Sequence, residues 1–179
     1  MTAGRVPAQG ALGSLEYLGD GTTVADEFFD LAVTSQFFQG FDCDEVTALA
    51  GFLHVMRATP GLPVIHEGGS GDYMLLVLSG RVDVLKQAED GGSRLMATVG
   101  PGMTLGEMSM LDGEPRFATC MAIEPTTIAV LTRDDMLRII RDEPRLGAKI
   151  LVNLVTLLSQ RLRRTSAKLL DLLPRSGAA

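Results

Sequence analysis

The chain has little of what most catalytic and membrane-anchoring devices require. Only two histidines, His54 and His66, occur in 179 residues. Both lie in or beside segments of strand character and read as structural. With no H-x-H pair, a metal-dependent barrel enzyme is strongly disfavoured, because such a site needs several imidazole and carboxylate ligands on one ion. Two cysteines, Cys43 and Cys120, stand far apart in no metal-type spacing. They are expected as reduced, buried thiols of a cytoplasmic protein. Basic residues are not in excess: 16 Lys and Arg face 22 Asp and Glu, a formal net charge of -6, which argues against broad electrostatic binding to nucleic acid. No apolar run approaches the roughly 18 residues of a membrane span, and the N-terminus lacks the apolar stretch of a secretory leader. There is no Walker loop and no evident nucleophile–base pair. Gly100, Gly102 and Gly106 miss the G-x-G-x-x-G spacing, with no βαβ unit around them. The expectation is a soluble non-enzyme with no catalytic residue, no metal and no membrane contact.

What is present is apolar mass, at 46% of the residues, enough for the core of one domain. Residues 1–25 lack clear periodicity and read as a flexible arm. Residues 26–40 read as a short helical segment ending at Phe37 and Phe38. Asp42 and Glu45 then form a D-x-x-E capping box, and the helix that it opens carries Val46, Leu49, Ala50 and Leu53 on one face. Between about 54 and 131, short runs rich in Val, Leu and Met alternate with turn signals. Tyr73–Leu78 is continuous and apolar, Arg81–Lys86 alternates with period two, and Asp90-Gly91-Gly92 closes a hairpin. Arg94–Val99, Phe117–Ile123 and Thr126–Leu131 follow as strands. About eight short strands predict a mainly β fold with flanking helices, an eight-stranded β-roll of jelly-roll type. Helical periodicity returns over about 133–173. Thr132 and Asp135 form a cap, Pro144 ends one helix, and a long helix from about Arg145 carries Leu151, Leu154, Leu158 and Leu162 as a stripe. The domain thus spans 26–173, with a tail at 174–179.

One segment departs from this pattern. Leu105–Thr119 lies between two strands where a hairpin needs only two to five residues. Gly106 permits close backbone approach. Glu107–Leu111 can form one helical turn, whose first amides have no internal partner and suit an anion. Asp112-Gly113-Glu114-Pro115 returns the chain, and Arg116 enters the next strand facing those amides. A guanidinium and free amides suit a phosphate. A carboxylate beside them would repel it, so Glu107 makes sense as the acceptor of a neighbouring sugar hydroxyl. Together these demands describe a ribose that bears a phosphate.

The segment resembles the phosphate-binding cassette of the cyclic-nucleotide-binding domains of bacterial regulators, kinases and gated channels, F-G-E-x-A-L-x-x-x-x-P-R-x-A-T. Gly106, Glu107, Pro115, Arg116, Ala118 and Thr119 match position for position, with Leu105 in place of Phe, Ser109 of Ala and Met110 of Leu. Glu67–Asp72 and Met74–Gly80 also look like the family's turn and strand signature, and the resemblance covers about 35–172. It implies that Arg116 pairs with a cyclic phosphate and Glu107 accepts from the ribose 2′-hydroxyl. It further implies that the amides of Met108, Ser109 and Ala118 complete the cup, that Val84 and Met96 wall the purine, and that the last helix is a mobile lid.

Phe117 departs from the family, whose residue there is often small, or Thr where cyclic GMP is favoured. Phe117 has no hydroxyl to offer a base, which favours cyclic AMP over cyclic GMP as the ligand. The partners expected are a cyclic nucleotide and an unidentified effector protein, with a homodimer through the last helix left open. DNA is not expected, since no helix-turn-helix follows Leu173. The alternative is a degenerate scaffold that binds a protein partner or another nucleotide, cyclic GMP or a cyclic dinucleotide. The arginines 161, 163 and 164 read as a solvated face or, alternatively, as a contact to a partner or to the nucleotide.

Overall fold

The computed structural model describes residues 10–172. A 3-10 turn, Gly10–Ser14, leads into β1 (Glu16–Asp20), a second turn at Gly21–Val24, and helix α1 (Ala25–Thr34). After a 3-10 turn at Gln36–Phe38 comes α2 (Cys43–Ala50). Its capping box is formed as the D-x-x-E spacing predicts: the Glu45 amide donates to Asp42 Oδ1 at 2.8 Å and the Asp42 amide to Glu45 Oε2 at 2.9 Å. The strands are β2 (His54–Ala58), β3 (Pro63–Ile65), β4 (Tyr73–Ser79), β5 (Val82–Gln87), β6 (Ser93–Val99), β7 (Thr104–Leu105), β8 (Thr119–Ala122) and β9 (Thr126–Thr132). Helix α3 (Glu107–Asp112) sits between β7 and β8, and α4 (Arg133–Asp142) and α5 (Pro144–Leu172) complete the order.

The strands form two antiparallel sheets, β1-β2-β9-β4-β7 and β3-β8-β5-β6. This is the expected β-roll with flanking helices and a long C-terminal helix. The eight strands between 54 and 132 are joined by a ninth, β1, and the roll does not close into a barrel. Strand β4 reads as an unbroken apolar run because both of its faces are covered. Tyr73, Leu75 and Val77 point between the sheets, against Ile65, Val82, Leu105, Cys120 and Ile128. Met74, Leu76 and Leu78 point outward, into a second core with Phe28, Phe37, Phe38, Leu49, Ile139, Ile150 and Leu154. Residues on alternate faces of one strand therefore weld the roll to its helices.

Four sequence expectations need correction. Residues 10–24, read as part of a loose arm, are ordered. Leu12 is buried in the inter-sheet core, β1 pairs with β2, and the Gly21 amide donates to Leu53 O at 2.9 Å. The register shift between Tyr17 and Gly19 breaks the period-two pattern that would have marked this short edge strand. Residues 1–9 of that arm and the tail at 174–179 lie outside the described residues. The strand expected at Phe117–Ile123 begins only at Thr119. Arg116 is instead tied to the 68–69 turn, its amide donating to Gly69 O at 2.9 Å and its carbonyl accepting from Gly68 at 2.8 Å. Cys43, expected to be buried, is exposed, whereas Cys120 is buried. The leucine stripe on α5 is rotated: Leu146, Ile150 and Leu154 enter the core, while Leu162 is 68% exposed.

Candidate functional site

The 105–119 segment folds against β4 and the 68–72 turn, and buries Glu107 and Arg116. Gly106 takes φ +75 just before α3, and a Cβ there would lie 2.5 Å from Arg116 Nη1 and 2.9 Å from Ile65 Cδ1. Both its conformation and its contact therefore require glycine. The turn of α3 that follows leaves the amides of Glu107, Met108 and Ser109 without helical partners; the Met110 amide is the first to bond back, to Gly106 O at 3.3 Å. Ser109 is buried, and its hydroxyl donates to Pro115 O at 3.4 Å. A Cβ on Gly71 would meet Ser109 Cβ at 2.1 Å, so the 68–72 turn packs directly under α3.

Arg116 is only 3% exposed. It spends two of the five guanidinium donors on protein carbonyls, Nη1 on Gly106 O and Nη2 on Tyr73 O, each at 2.8 Å. Its guanidinium carbon lies 4.1 Å from the centroid of the Tyr73 ring, and Nε is buried with no partner. Burial lowers the proton affinity of Arg116, partly offset by Tyr73 and Asp72. It forms no surface ion pair with Glu107 or Glu114.

Glu107 is 2% exposed. Burial raises its pKa, opposed by Arg161, its own backbone amide and Arg116. One carboxylate oxygen, Oε1, accepts from Nη1 of Arg161 on α5. The other, Oε2, is buried and unpartnered. Arg161 is held in turn by β7, where Nη2 donates to Thr104 O at 2.7 Å and to Thr104 Oγ1 at 3.1 Å.

The other residues singled out in the sequence differ in their exposure. Ala118 is buried. Thr119 is half-buried and its Oγ1 accepts from the Glu67 amide at 3.1 Å. Met108 and Phe117 are half exposed, and Lys86 Nζ stands 4.5 Å from the centroid of the Phe117 ring while donating to Phe117 O at 2.7 Å. Val84 and Met96 lie on the neighbouring strands β5 and β6. Val84 pairs with Ala97 and Leu85 with Leu95, which leaves Met96 as the extra residue of a β-bulge, a device that re-aims a side chain. Among the described residues no cluster of three or more His, Cys, Asp and Glu could hold a metal. His54 is buried with Nε2 3.3 Å from Asp135 Oδ2, whereas His66 is exposed.

Four contributors escaped the sequence reading. Tyr73 backs Arg116. Gly71 lets α3 approach. Arg133, the first residue of α4, donates from Nε to Met110 O at 2.8 Å and from Nη2 to Ser109 O at 2.9 Å, closing the end of α3. Arg161, read as part of a solvated face, is bound to Glu107. All four act across 23 or more residues of chain, so no local spacing marks them.

The model of the cyclic nucleotide-binding domain matches residues 55–143. The chain belongs to the cyclic nucleotide-binding domain family. A solved cyclic nucleotide-binding domain from Methylobacillus flagellatus is 35% identical, with a TM-score of 0.83 over 94% of this chain and 96% of that one. The cyclic AMP receptor protein of Thermus thermophilus is 35% identical over 139 residues, 78% of this chain and 62% of that protein. A cAMP-activated global transcriptional regulator of Mycobacterium tuberculosis is 32% identical over 136 residues, 76% of this chain and 59% of that protein. The chain thus spans about three fifths of the length of these curated relatives. It is a cyclic-nucleotide-binding regulatory domain, and no helix among its described residues is long and apolar enough to cross a membrane.

Proposed function

We propose that this domain is a non-catalytic cytoplasmic sensor that binds cyclic AMP in the 105–119 cassette and signals through α5. One observation carries the reading: two oppositely charged buried side chains, Arg116 and Glu107, flank unbonded helix amides, and each keeps a buried polar atom without a partner. Arg116 Nε is a donor suited to a phosphate oxygen, and Glu107 Oε2 an acceptor suited to the ribose 2′-hydroxyl. The amides of Met108, Ser109 and Ala118 complete the phosphate cup. Val84 and Met96 wall the base, and Phe117, lacking a hydroxyl, leaves the purine edge unread and favours cyclic AMP over cyclic GMP. Relatives named for cyclic AMP support this choice.

The ligand binds one arrangement of cassette and α5 more tightly than another, and an effector protein reads the difference. A homodimer is part of the same proposal. Val152, Val155, Ser159, Leu162, Ser166 and Leu169 are all exposed on α5. Their alternating spacing of three and four is the repeat of a two-stranded coiled coil, so the occupant of this stripe is a second copy of α5; sedimentation at rising concentration tests it. The function is tested by calorimetry with cyclic AMP, cyclic GMP and a cyclic dinucleotide in parallel. Saturable heat with cyclic AMP, weaker with the others, is expected; heat with none of them refutes the sensor reading.

A further inference from the structure

The carboxylate of Glu107 is shared between two claimants. Its Oε1 is taken by Arg161, which reaches in from the distal half of α5, and its Oε2 is buried and free. Arg161 itself is fixed by two acceptors of Thr104, a residue 1% exposed in β7 at the entrance to the cassette. Few other contacts hold this part of the helix, since Leu162, Leu169 and Leu170 are 59–69% exposed. An acid buried this deeply is costly to keep ionised without a partner, and the Arg161 guanidinium is the partner that Oε1 has.

Resting on the sensor reading above, we propose that Arg161 is a positioning residue: by holding one oxygen of Glu107 it presents the other to the sugar hydroxyl, so that recognition of that hydroxyl requires α5 to be docked. Arg161 lies 54 residues from Glu107 in sequence, so the coupling exists only in the folded arrangement. It runs both ways: a docked helix raises affinity for the hydroxylated ligand, and that ligand in turn favours the docked helix.

The test measures the affinities of cyclic AMP and 2′-deoxy cyclic AMP by calorimetry, for the wild type, Arg161→Met and Arg161→Lys, with Arg116→Ala as a control for the site. The wild type is expected to prefer the hydroxylated ligand by about tenfold or more, as for a hydrogen bond to a charged acceptor. Arg161→Met, which keeps the aliphatic stem, is expected to reduce the preference to about twofold or less, with little change in affinity for the deoxy ligand. Arg161→Lys, which restores the charge, is expected to recover much of it. A preference that survives in Arg161→Met, or an equal loss of both ligands, overturns the role of Arg161 alone. Equal binding of the two ligands by the wild type overturns the sugar role of Glu107 and this proposal with it, while loss of both ligands in Arg116→Ala leaves the phosphate site standing.

Discussion

The two halves of α5 are held by different physics. In the proximal half, Leu146, Ile150 and Leu154 are at most 4% exposed and pack among Phe37, Phe38 and Ile139. Polar ties reinforce them: Asn153 Nδ2 donates to Phe37 O at 2.9 Å, and Lys149 Nζ to Gly40 O at 2.8 Å. In the distal half the apolar residues face outward, and the roll is reached through the Arg161–Glu107 pair and the Arg161 bonds to Thr104. Apolar packing is broad, whereas the distal half hangs on one ion pair and its bonds to β7. Under the proposed sensor mechanism, the contrast puts the ligand's leverage at the distal half, with the proximal half as the fixed point.

That contrast can be broken or sharpened at four places, in descending order of effect. Ile150→Ala empties a fully buried site and is expected to cost about 2–5 kcal/mol, read from urea denaturation, whereas Leu162→Ala should stay within about 0.5 kcal/mol in the monomer. A large effect at Leu162 would show that the distal half is packed after all. Gly71→Ala forces a Cβ into Ser109 and should displace α3; a loss of cyclic AMP affinity of tenfold or more is expected, with a smaller loss of thermal stability.

A third probe is pH, at the joint that carries α4 onto the roll. Burial alone would raise the pKa of Asp135, but bonds from His54 and Thr132, with the charge of Arg138, outweigh it and hold the carboxyl below its ordinary value. The folded-state pKa lies below the unfolded one, so this stabilisation is present above about pH 4 and is lost as pH falls through the folded value. Asp135→Asn should therefore lower stability at neutral pH and flatten its fall in acid, as followed by melting temperature against pH; an unchanged acid limb would remove Asp135 from that account. The smallest effect is expected at Phe117. Phe117→Thr supplies a hydroxyl beside the base and should narrow the preference for cyclic AMP over cyclic GMP by several-fold, measured by competition. No change would mean that the Phe117 ring does not border the base.

Much of the roll and the local part of the site were legible in sequence because both are written in short-range code. The capping residues Asp42 and Thr132, the apolar run of β4 and the Gly106–Arg116 spacing each act within about a dozen residues. What escaped is non-local. Tyr73 meets Arg116 across 43 residues and Arg161 meets Glu107 across 54. The rotated stripe of α5 followed from a surface that only the assembled helices create. The ordered segment 10–24 was hidden because its packing residues, Ala11, Leu12, Leu15, Leu18 and Val24, follow no single period and its strand pairs only at an edge.

The central claim is that Arg116 and the cup around it hold an anionic nucleotide. It is tested most directly by titrating cyclic AMP into the wild type and into Arg116→Ala under identical conditions. Removal of a buried charged partner should weaken binding by roughly 2–5 kcal/mol, about thirty- to several-thousand-fold, with far-ultraviolet circular dichroism showing an intact fold. Equal affinity in the two folded proteins would contradict the account.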